Sequence, residues 1–576
     1  MAKKDILRPA FWVGLSAGSA AVLTKRMKEK GVCPFCELKR IAGKLKLHPE
    51  TQQTQTGVAR TPPMGWSSWN LFERNISETL IKEIADAMEK SGLAAAGYRY
   101  VNLDDCWQSS ERDENGRLQA DKATFPGGIR ALAETVNAKG LKLGIYSSNG
   151  ERTCEDYPAS LRHEALDADT FASWGVEYFK YDFCHNKAIS EKAPLVGKAE
   201  LSRPGAGVYQ SFVPGNAVLQ GRAKLLKDEK SGCAYIAGLD ARQGSFSLNT
   251  EAEESCEVIL TLTVKKAADS ERFLRLTVNG KDEYHLYAPK MRAPVPEPGD
   301  RRVQTAIRLQ KGMNTLSFDN PVASRFDSAA LQYRLMGREL RRATREIVEK
   351  TGGEEKPIVY SICEWGFNRP WKWGKSAGNL WRTTGDIKPF WASVLTIYER
   401  NVLLWKYAGP GGWNDPDMLE VGVGDKLTEN ECRAHFSLWC MMAAPLILGN
   451  DVRAFLKEDG TPDPDNKYLK MLTNKAMIAV DQDILGKQCR RIKAGLQDIL
   501  VKPLSGARVA VCVFNKGHKK ASVRLDFKSI ANLGFVHLPQ KDGYEVYDVW
   551  GDRTRTEIGA LTAECAPHSA EVYIVK

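Results

Sequence analysis

The heptapeptide YFKYDFC, residues 178–184, is the stretch from which the fold and the chemistry of this chain can be read. It is short and aromatic, with Gly175 before it and polar residues after it, so it is predicted to be a buried β-strand. Because side chains alternate along a strand, Lys180 and Asp182 project from the same face. Burying two charged side chains costs free energy, so such a pair is expected to have a structural or a functional role. A structural ion pair and a catalytic carboxylate that the ammonium group keeps ionised are both open readings.

Alternating strands and helices flank this stretch in the sequence. Apolar runs predict strands at 64–70, 98–107, 141–146, 358–363 and 445–448, and helical spacing predicts helices at 77–91, 129–138, 166–174, 330–350 and 429–442. Polar residues gather at the carboxyl ends of the strands, where parallel α/β barrels carry their sites. The pattern therefore predicts a TIM (β/α)8 barrel, although the spacing alone also fits a doubly wound sheet.

The strand–helix repeat is interrupted once and is followed by a second region of strands. Short alternating strands between 189 and 327 predict a β-sandwich inserted in the loop after the fourth barrel strand. The barrel then occupies residues 57–188 and 328–474, and renewed alternation predicts a C-terminal antiparallel β-sandwich over 475–576. Residues 1–56 are predicted to be an appendage that ends in a linker.

The appendage carries the main information on location. Residues 9–24 contain an apolar run that is short for a spanning helix and lacks a convincing signal-peptide cleavage site. Basic residues are more frequent after this apolar run than before it. Because basic flanking residues stay on the cytoplasmic side of a membrane, the rest of the chain is expected to lie inside the cell. Thirteen cysteines, an odd number, agree with a reducing compartment. We expect a cytoplasmic protein that associates with membranes through residues 9–24, and secretion is the alternative.

Composition and charge argue against some classes of function. The 576 residues carry a net charge of +11, but part of the basic excess lies in the first fifty residues. Because no basic–aromatic surface motif is visible, no nucleic-acid partner is expected. The lone Cys33-x-x-Cys36 has no second pair at metal spacing, and no metal or cofactor is predicted. Fourteen tryptophans fit a sugar-handling protein, since aromatic rings stack on pyranose rings. The oligomeric state cannot be read from the sequence.

Seven short motifs occur in order along the chain. They are MGW at 64–66, LDDCW at 103–107, GIY at 144–146, KYD at 180–182, CEW at 363–365, WRTTGD at 381–386 and WNDPDM at 413–418. This set resembles the retaining α-galactosidases, or melibiases, of glycoside hydrolase family twenty-seven. The resemblance covers about 60–186 and about 358 to the C-terminus. It implies a barrel enzyme that hydrolyses terminal α-galactosyl residues of an oligosaccharide or glycoconjugate by double displacement.

The resemblance implies the two catalytic carboxylates position by position. Asp182 matches the nucleophile and Asp386 matches the general acid/base, the pair that a retaining glycosidase requires. Lys180 is expected to keep Asp182 ionised. The pKa of Asp386 is expected to lie above that of Asp182, because a general acid must hold its proton at rest.

The same resemblance implies a set of sugar contacts. Asp104 and Asp105 are expected to accept hydrogen bonds from O4 and O6 of galactose, Arg382 to bind the substrate, and Trp66 to form an apolar wall. Glu364 is expected to accept from O2. The remaining implied pocket residues are Tyr146, Cys154, Lys180, Trp365, Asp417 and Met418. Simple packing is the alternative reading of the methionine.

Cysteines show where the chain departs from the family pattern. The family pairs a cysteine after the third strand with one after the nucleophile, and these positions match Cys154 and Cys184. Cys106 has lost its usual partner, since Glu73 stands in the matching segment, and Cys363 has no evident partner. These losses argue against the secreted, disulfide-stapled state of many relatives.

Two other functions fit parts of the pattern. The α-N-acetylgalactosaminidases on this fold have small residues near Glu364 and Phe367 that make room for the acetamido group, and both residues are bulky here. A non-catalytic sugar-binding scaffold is expected to lack a catalytic carboxylate, and Asp182 and Asp386 are both present. The insert loosely resembles jelly-roll carbohydrate-binding modules over about 208–321, but it contains no tryptophan, so sugar binding and a spacer role both stay open.

Overall fold

The computed structural model describes residues 57–229, 232–266, 270–290 and 299–576. The segment 9–24, for which membrane association is predicted, lies outside these ranges. Within them, no helix has both the length and the hydrophobicity needed to cross a membrane. The described residues divide into two compact units, one comprising 188–328 and the other comprising 57–187 together with 329–576.

The larger unit contains an eight-stranded parallel barrel. Its strands in chain order are β1 Met64–Ser67, β2 Tyr100–Asn102, β3 Lys142–Ser148, β4 Tyr178–Asp182, β5 Val359–Ile362, β6 Leu380–Arg382, β7 Trp413–Asp415 and β8 Leu446–Leu448. Neighbouring strands pair in the order β7-β6-β5-β4-β3-β2-β1-β8. A parallel bridge between Leu419, which follows β7, and Leu448 of β8 joins the two ends of the sheet. The TIM-barrel prediction is confirmed, because a doubly wound sheet is open at both edges.

Helices surround the barrel, and capping residues mark where two of them start. Ser77 accepts a hydrogen bond from the backbone N–H of Leu80 at 3.2 Å, and Thr428 and Glu431 form a capping box. The helices of this unit are Trp69–Phe72, Glu78–Lys90, Leu93–Ala96, Gly128–Asn137, Glu164–Ser173, Trp391–Asn401, Glu429–Met441, Lys467–Leu472, Lys475–Asp481 and Phe527–Ala531. Helix Arg325–Thr351 crosses the boundary between the two units in the sequence.

Two strands end three or more residues before their predicted ends, and both differences matter at the site. The first, predicted over 64–70, ends at Ser67 and is followed by helix Trp69–Phe72. The second, predicted over 98–107, ends at Asn102. There the carboxylates of Asp104 and Asp105 accept hydrogen bonds from the next backbone N–H groups at 3.0 and 2.8 Å. Such local bonds form a turn in place of the ladder bonds of a strand.

Strand β4 has two alternating faces, as its sequence predicts. Phe179 and Tyr181 are fully buried. Phe179 packs on Phe171 with ring centroids 5.0 Å apart, and Tyr181 packs edge-on against Tyr333 at 5.4 Å. These aromatic contacts bind the strand to the helical layer, so that the alternate side chains of β4 face the interior of the barrel.

The smaller unit is an antiparallel β-sandwich that follows β4 and precedes β5 in the chain. One sheet contains strands Val218–Gly221, Gly244–Ala252, Arg272–Val278, Asp282–Ala288 and Gly312–Asp319. The other contains strands Leu195–Ser202, Val208–Phe212, Lys224–Lys227, Ala234–Ala237, Cys256–Lys266 and Gly299–Leu309. Buried side chains from both sheets form one core, in which Phe246 and Phe318 stack at 4.5 Å.

A second antiparallel region ends the chain. A six-stranded and a two-stranded sheet enclose a largely aliphatic core. The strands are Arg490–Lys493, Gln497–Leu504, Arg508–Asn515, Ala521–Asp526, Gly543–Asp548, Arg553–Ile558, Ala560–Cys565 and Ser569–Val575. The region packs on the barrel, where Tyr398 donates to Asp498 at 2.7 Å and Lys502 donates to the carbonyl of Cys440 at 2.9 Å. The predicted C-terminal sandwich is confirmed, although residues 475–481 are helical.

Candidate active site

One cavity at the carboxyl end of the barrel strands gathers most of the predicted site residues. Eleven of the thirteen line it, namely Asp104, Asp105, Tyr146, Cys154, Lys180, Asp182, Trp365, Arg382, Asp386, Asp417 and Met418. Parallel strands place their C-terminal residues on one rim, so residues that are far apart in sequence converge there. The other two predicted residues, Trp66 and Glu364, lie outside the cavity.

Lys180 links two carboxylates in the cavity. Its ammonium group donates to Asp104 at 2.8 Å and lies 3.8 Å from Oδ2 of Asp182. It also lies over the ring of Tyr146, 5.2 Å from the centroid. The backbone N–H of Phe183 donates to Oδ1 of Asp182 at 2.7 Å. One oxygen of Asp182 is therefore held by the adjacent backbone and the other faces a cation, which fixes the orientation of the carboxylate.

Arg382, at the end of β6, holds two further carboxylates. Its Nη2 donates to Asp386 at 2.9 Å and lies 2.7 Å from Asp417. Asp417 also accepts a hydrogen bond from the backbone N–H of Ile387 at 2.8 Å, so it fixes the loop that carries Asp386. The side chain of Arg382 is 4% exposed, whereas that of Asp386 is 55% exposed. A buried arginine therefore orients an accessible carboxylate.

Backbone strain occurs at the walls of the cavity. Cys106, Trp365 and Asp417 adopt positive φ angles of 75°, 56° and 82°. Residues other than glycine seldom adopt this left-handed region, which costs on the order of 1–3 kcal/mol at each position. Trp365 and Asp417 both line the cavity, so the surrounding structure holds two cavity-lining residues in unfavourable backbone conformations.

The pKa values of the two carboxyls differ from the prediction. Burial raises the pKa of Asp182 to about 6, and the nearby Lys180 offsets only part of this effect. Burial also acts to raise the pKa of Asp386, but Arg382 and Lys180 outweigh it, so that pKa lies below its ordinary value. These directions are opposite to the predicted order, in which the pKa of Asp386 lies above that of Asp182. Asp386 has a cation at 2.9 Å, whereas Lys180 lies 3.8 Å from Asp182.

Trp69, rather than Trp66, faces the cavity. Trp66 is fully buried, and its indole N–H donates to the carbonyl of Asn450 at 2.8 Å. Trp69 is half-buried and lines the cavity beside Asn70. Trp66 therefore lies in the core and not at the predicted position against the sugar, because β1 ends at Ser67 and the following helical turn carries the next tryptophan to the rim.

Glu364 does not face the cavity either. It is fully buried and accepts hydrogen bonds from the backbone N–H of Asn368 at 2.9 and 2.8 Å. Its two neighbours in the chain are better placed. Trp365 lines the cavity, and Cys363 lines an adjoining pocket in which its sulfur lies 3.5 Å from Arg382. The carboxylate of Glu364 therefore stabilises the loop after β5 and does not lie at the predicted position for accepting from O2.

Glu364→Ala is expected to lower stability rather than to change sugar specificity. Removing the carboxylate leaves the buried backbone N–H of Asn368 without its acceptor, which costs about 1–3 kcal/mol. Urea unfolding followed by tryptophan fluorescence measures this change. The matched control is Phe367→Ala, with little expected effect because Phe367 is 56% exposed. New α-N-acetylgalactosaminidase activity in Glu364→Ala at unchanged stability would contradict the observed placement.

Four further polar residues line the cavity, Asn70, Glu73, Lys388 and Glu420. Asn70 donates to the carboxylate of Glu420. Burial raises the pKa of Glu420 to about 8, with a contribution from the neighbouring Asp417. Glu420 lies two residues after Met418, so extending the acidic WNDPDM motif by two positions identifies it. No comparable sequence signal marks Asn70 or Glu73 as pocket residues.

The predicted disulfide is present at the edge of the cavity. Cys154 and Cys184 are joined, with 5.1 Å between their Cα atoms. The hydroxyl of Tyr146 donates to the sulfur of Cys154 at 3.2 Å. Cys106 and Cys363 are buried thiols that form no disulfide within the described part of the chain. The disulfide therefore ties the loop after β3 to the end of β4.

A (β/α)8 barrel with two carboxylates in one cavity at the carboxyl end of its strands has the architecture of a glycoside hydrolase. Comparison with family models identifies the family within that class. Residues 61–208 and 302–483 match the model described as alpha galactosidase A, and residues 494–575 match the alpha galactosidase C-terminal beta sandwich domain. The chain belongs to this α-galactosidase (melibiase) family.

Relatives with matching names extend over most of the chain. The alpha-galactosidase of Cyamopsis tetragonoloba is 33% identical over 526 residues, covering 90% of this chain and 87% of its own. Alpha-galactosidase A of Cellvibrio japonicus is 34% identical over 482 residues, covering 82% of this chain and 80% of its own. The solved structure of alpha-galactosidase I from Mortierella vinacea aligns with a TM-score of 0.61 at 25% identity, covering 91% of this chain and 98% of that one.

Proposed function

We propose that the protein is a retaining exo-α-galactosidase that releases terminal α-D-galactosyl residues from oligosaccharides or glycoconjugates. The names of the relatives support this activity. The observation that carries the proposal is the presence of Asp182 and Asp386 in one cavity, each beside its own cation. Retaining glycosidases use such a pair, one carboxylate to attack and the other carboxyl to protonate.

The two carboxyls divide the reaction into two steps. In the first step, Asp182 attacks the anomeric carbon and Asp386 protonates the departing glycosidic oxygen. In the second step, the ionised Asp386 takes a proton from a water molecule, which attacks the galactosyl ester and releases Asp182 as a carboxylate. The configuration at the anomeric carbon is inverted twice and is therefore retained.

The carboxyl pair must hold one proton before the first step. By their pKa values that proton belongs to Asp182, whose pKa is raised to about 6, while the pKa of Asp386 is lowered. Catalysis needs the opposite arrangement. The side chain of Asp386 is 55% exposed, so a sugar that covers it excludes water from the carboxyl and raises its pKa. We therefore propose that substrate binding shifts the proton from Asp182 to Asp386.

For a substrate with a poor leaving group, such as methyl α-galactoside, kcat/KM is expected to fall as the pH rises through about 6. The singly protonated pair is the active form, and above this pKa it loses its proton. Lys180→Gln removes a cation that lowers both pKa values, so the decline should move to higher pH. Profiles of kcat/KM against pH measure the shift. A decline at the same pH in the variant contradicts the assignment.

Sugar contacts follow from the side chains that line the cavity. Asp104 and Asp105 are both buried and are proposed to accept hydrogen bonds from O4 and O6 of galactose. Trp69 and Trp365 are half-buried and are proposed to supply the apolar surfaces. The bulk of Trp365 argues against the α-N-acetylgalactosaminidase alternative, in which the site must accommodate an acetamido group.

The substrate class is tested by comparing nitrophenyl α-galactoside, α-N-acetylgalactosaminide and α-glucoside on one enzyme preparation. We expect kcat/KM for the galactoside to be higher by on the order of 100-fold or more, because a wrong sugar leaves buried polar groups unpaired. NMR of the first-formed product should show α-galactose, the retained anomer. A preference for the N-acetylated sugar, or β-galactose as the first product, overturns the proposal.

We also propose that the protein acts in the cytoplasm, with residues 9–24 in contact with a membrane. The basic residues after that run and the odd number of cysteines support this location. The Cys154–Cys184 disulfide favours the alternative, secretion into an oxidising compartment. Protease added to intact cells should spare a cytoplasmic protein and digest a protein exposed at the surface.

Deletion of residues 1–56 is expected to leave hydrolysis of nitrophenyl α-galactoside nearly unchanged. The side chains that line the cavity begin at Trp69 and belong to the barrel. Initial rates of the full and shortened chains, together with their partition between membrane and soluble fractions, separate the two roles. A large loss of kcat in the shortened chain contradicts the assignment of this segment as an appendage.

A further inference from the structure

Two cysteines and a carboxylate form a compact group at the wall of the cavity. Cys154 lies in the loop after β3, and Cys184 lies two residues after Asp182 at the end of β4. The two sulfur atoms and a carboxylate oxygen of Asp182 all lie within 4.8 Å of one another. The sulfurs are joined as a disulfide. Because thiolates bind metals far better than a disulfide does, reduction converts the same three side chains into a set of metal ligands.

We propose that, once this disulfide is reduced, Cys154, Cys184 and Asp182 bind a zinc ion that blocks catalysis. Zinc takes thiolate and carboxylate ligands in tetrahedral sites, and three protein ligands leave one position for water. The carboxylate that binds the metal is the proposed nucleophile, so it can no longer attack a sugar. The inhibition rests on the proposed function, whereas metal binding does not.

Hydrogen bonds that do not depend on the S–S bond anchor the backbone at each cysteine. The carbonyl of Cys184 accepts a hydrogen bond from the hydroxyl of Ser148 at 2.9 Å. The backbone N–H of Glu155, the residue after Cys154, donates to Asp105 at 3.0 Å. Ligands that are already close lose little conformational freedom when a metal binds. The reduced cysteines therefore remain within reach of one ion.

The surrounding charges suit a divalent cation. Two thiolates and the carboxylate carry three negative charges, and Lys180, 3.8 Å from Asp182, carries one positive charge. The difference is two negative charges, which a Zn²⁺ ion neutralises. The hydroxyl of Tyr146, 3.2 Å from the sulfur of Cys154, supplies a hydrogen bond from outside the ligand set that orients the sulfur.

Reduction of the disulfide requires a two-electron reductant, and zinc binding follows it. A water-soluble phosphine attacks one sulfur and the S–S bond breaks. Hydrolysis of the phosphonium intermediate then gives the phosphine oxide and two thiols. The phosphine supplies two electrons, and water supplies the oxygen and the two protons. Zn²⁺ then replaces the two thiol protons, which pass to the buffer.

The test uses the full chain, reduced with the phosphine, desalted, and shown by thiol titration to have gained two thiols. Cobalt(II) is the spectroscopic probe, because thiolate ligands give it a charge-transfer absorption band. We expect one equivalent of cobalt to bind. Micromolar zinc should lower the hydrolysis of nitrophenyl α-galactoside about tenfold or more, a loss that a chelator reverses. The oxidised protein should show neither effect.

Two variants make the result specific to this group. Cys184→Ser removes one ligand, and Cys256→Ser removes a half-buried thiol of the inserted sandwich that is outside the group. The rate of each variant with zinc is divided by its own metal-free rate. Loss of the cobalt band and of zinc inhibition in Cys184→Ser, with both kept in Cys256→Ser, supports the site.

Two outcomes overturn the site: reduced wild type without a cobalt–thiolate band, or a band that is unchanged in Cys184→Ser. A third outcome separates this inference from the proposed function. A stoichiometric band without loss of hydrolysis contradicts metal binding by Asp182 and so overturns the three-ligand site, while the proposed function stands.

Discussion

Replacing Asp182 by alanine is expected to abolish turnover, with kcat lower by on the order of 10⁴-fold or more, the scale on which removal of a catalytic group acts in other hydrolases. This side chain supplies the attacking oxygen. It is oriented by the backbone N–H of Phe183 at 2.7 Å and by Lys180 at 3.8 Å, so its loss removes both the nucleophile and its alignment. Initial rates on nitrophenyl α-galactoside measure the effect.

Added azide should restore part of the activity of the Asp182→Ala variant. A small anion can enter the space left by the carboxylate and attack the anomeric carbon once, which yields β-galactosyl azide with inverted configuration. Asp465→Ala is the matched control, since its side chain is 92% exposed, and it should behave as wild type without rescue. An α-galactosyl azide product in the Asp182 variant contradicts the assignment of the nucleophile.

Replacing Asp386 by alanine is expected to lower kcat/KM by about 10²–10⁴-fold for methyl α-galactoside, the range over which a general acid acts. The loss should be much smaller for dinitrophenyl α-galactoside, because that leaving group departs without a proton. Rates on the two substrates, measured on one preparation of the variant, provide an internal control for correct folding. Equal losses on both substrates show that Asp386 contributes to binding and not to proton transfer.

Asp386→Ala also separates proton transfer from the role of Arg382. In the wild type, Arg382 contacts both Asp386 and Asp417, so it stays paired when one carboxylate is removed. The architecture of the cavity should therefore survive the substitution. We expect the decline of kcat/KM above a pH of about 6 to disappear for methyl α-galactoside, since the pair no longer carries a transferable proton.

The strand ends show how far sequence alone predicts this site. Within β4 the two-residue alternation holds, so Lys180 and Asp182 share the face that the sequence predicts. At β1 the alternation stops at Ser67, and a helical turn decides that Trp69 lines the cavity while Trp66 packs in the core. Short strands and tight turns therefore determine which residue of a motif faces the substrate.

The loop after β5 shows the same limit. The CEW motif marks the right place, but the motif cannot tell which of its three residues faces the cavity. The orientation of Glu364 depends on the buried backbone N–H of Asn368, which donates a hydrogen bond to its carboxylate and so directs it away from the cavity. The positive φ of 56° at Trp365 accompanies the placement of that ring in the cavity.

The sequence by itself predicted the barrel, the C-terminal sandwich and the family, because hydrophobic periodicity and short motifs are local properties of the chain. It also predicted the pairing of Cys154 with Cys184. Only the tertiary structure decided the inward-facing members of each motif and the order of the two pKa values. Burial raises the pKa of Asp182 to about 6, and Arg382 at 2.9 Å lowers that of Asp386. Burial and the distance between charges exist only after distant segments have packed together.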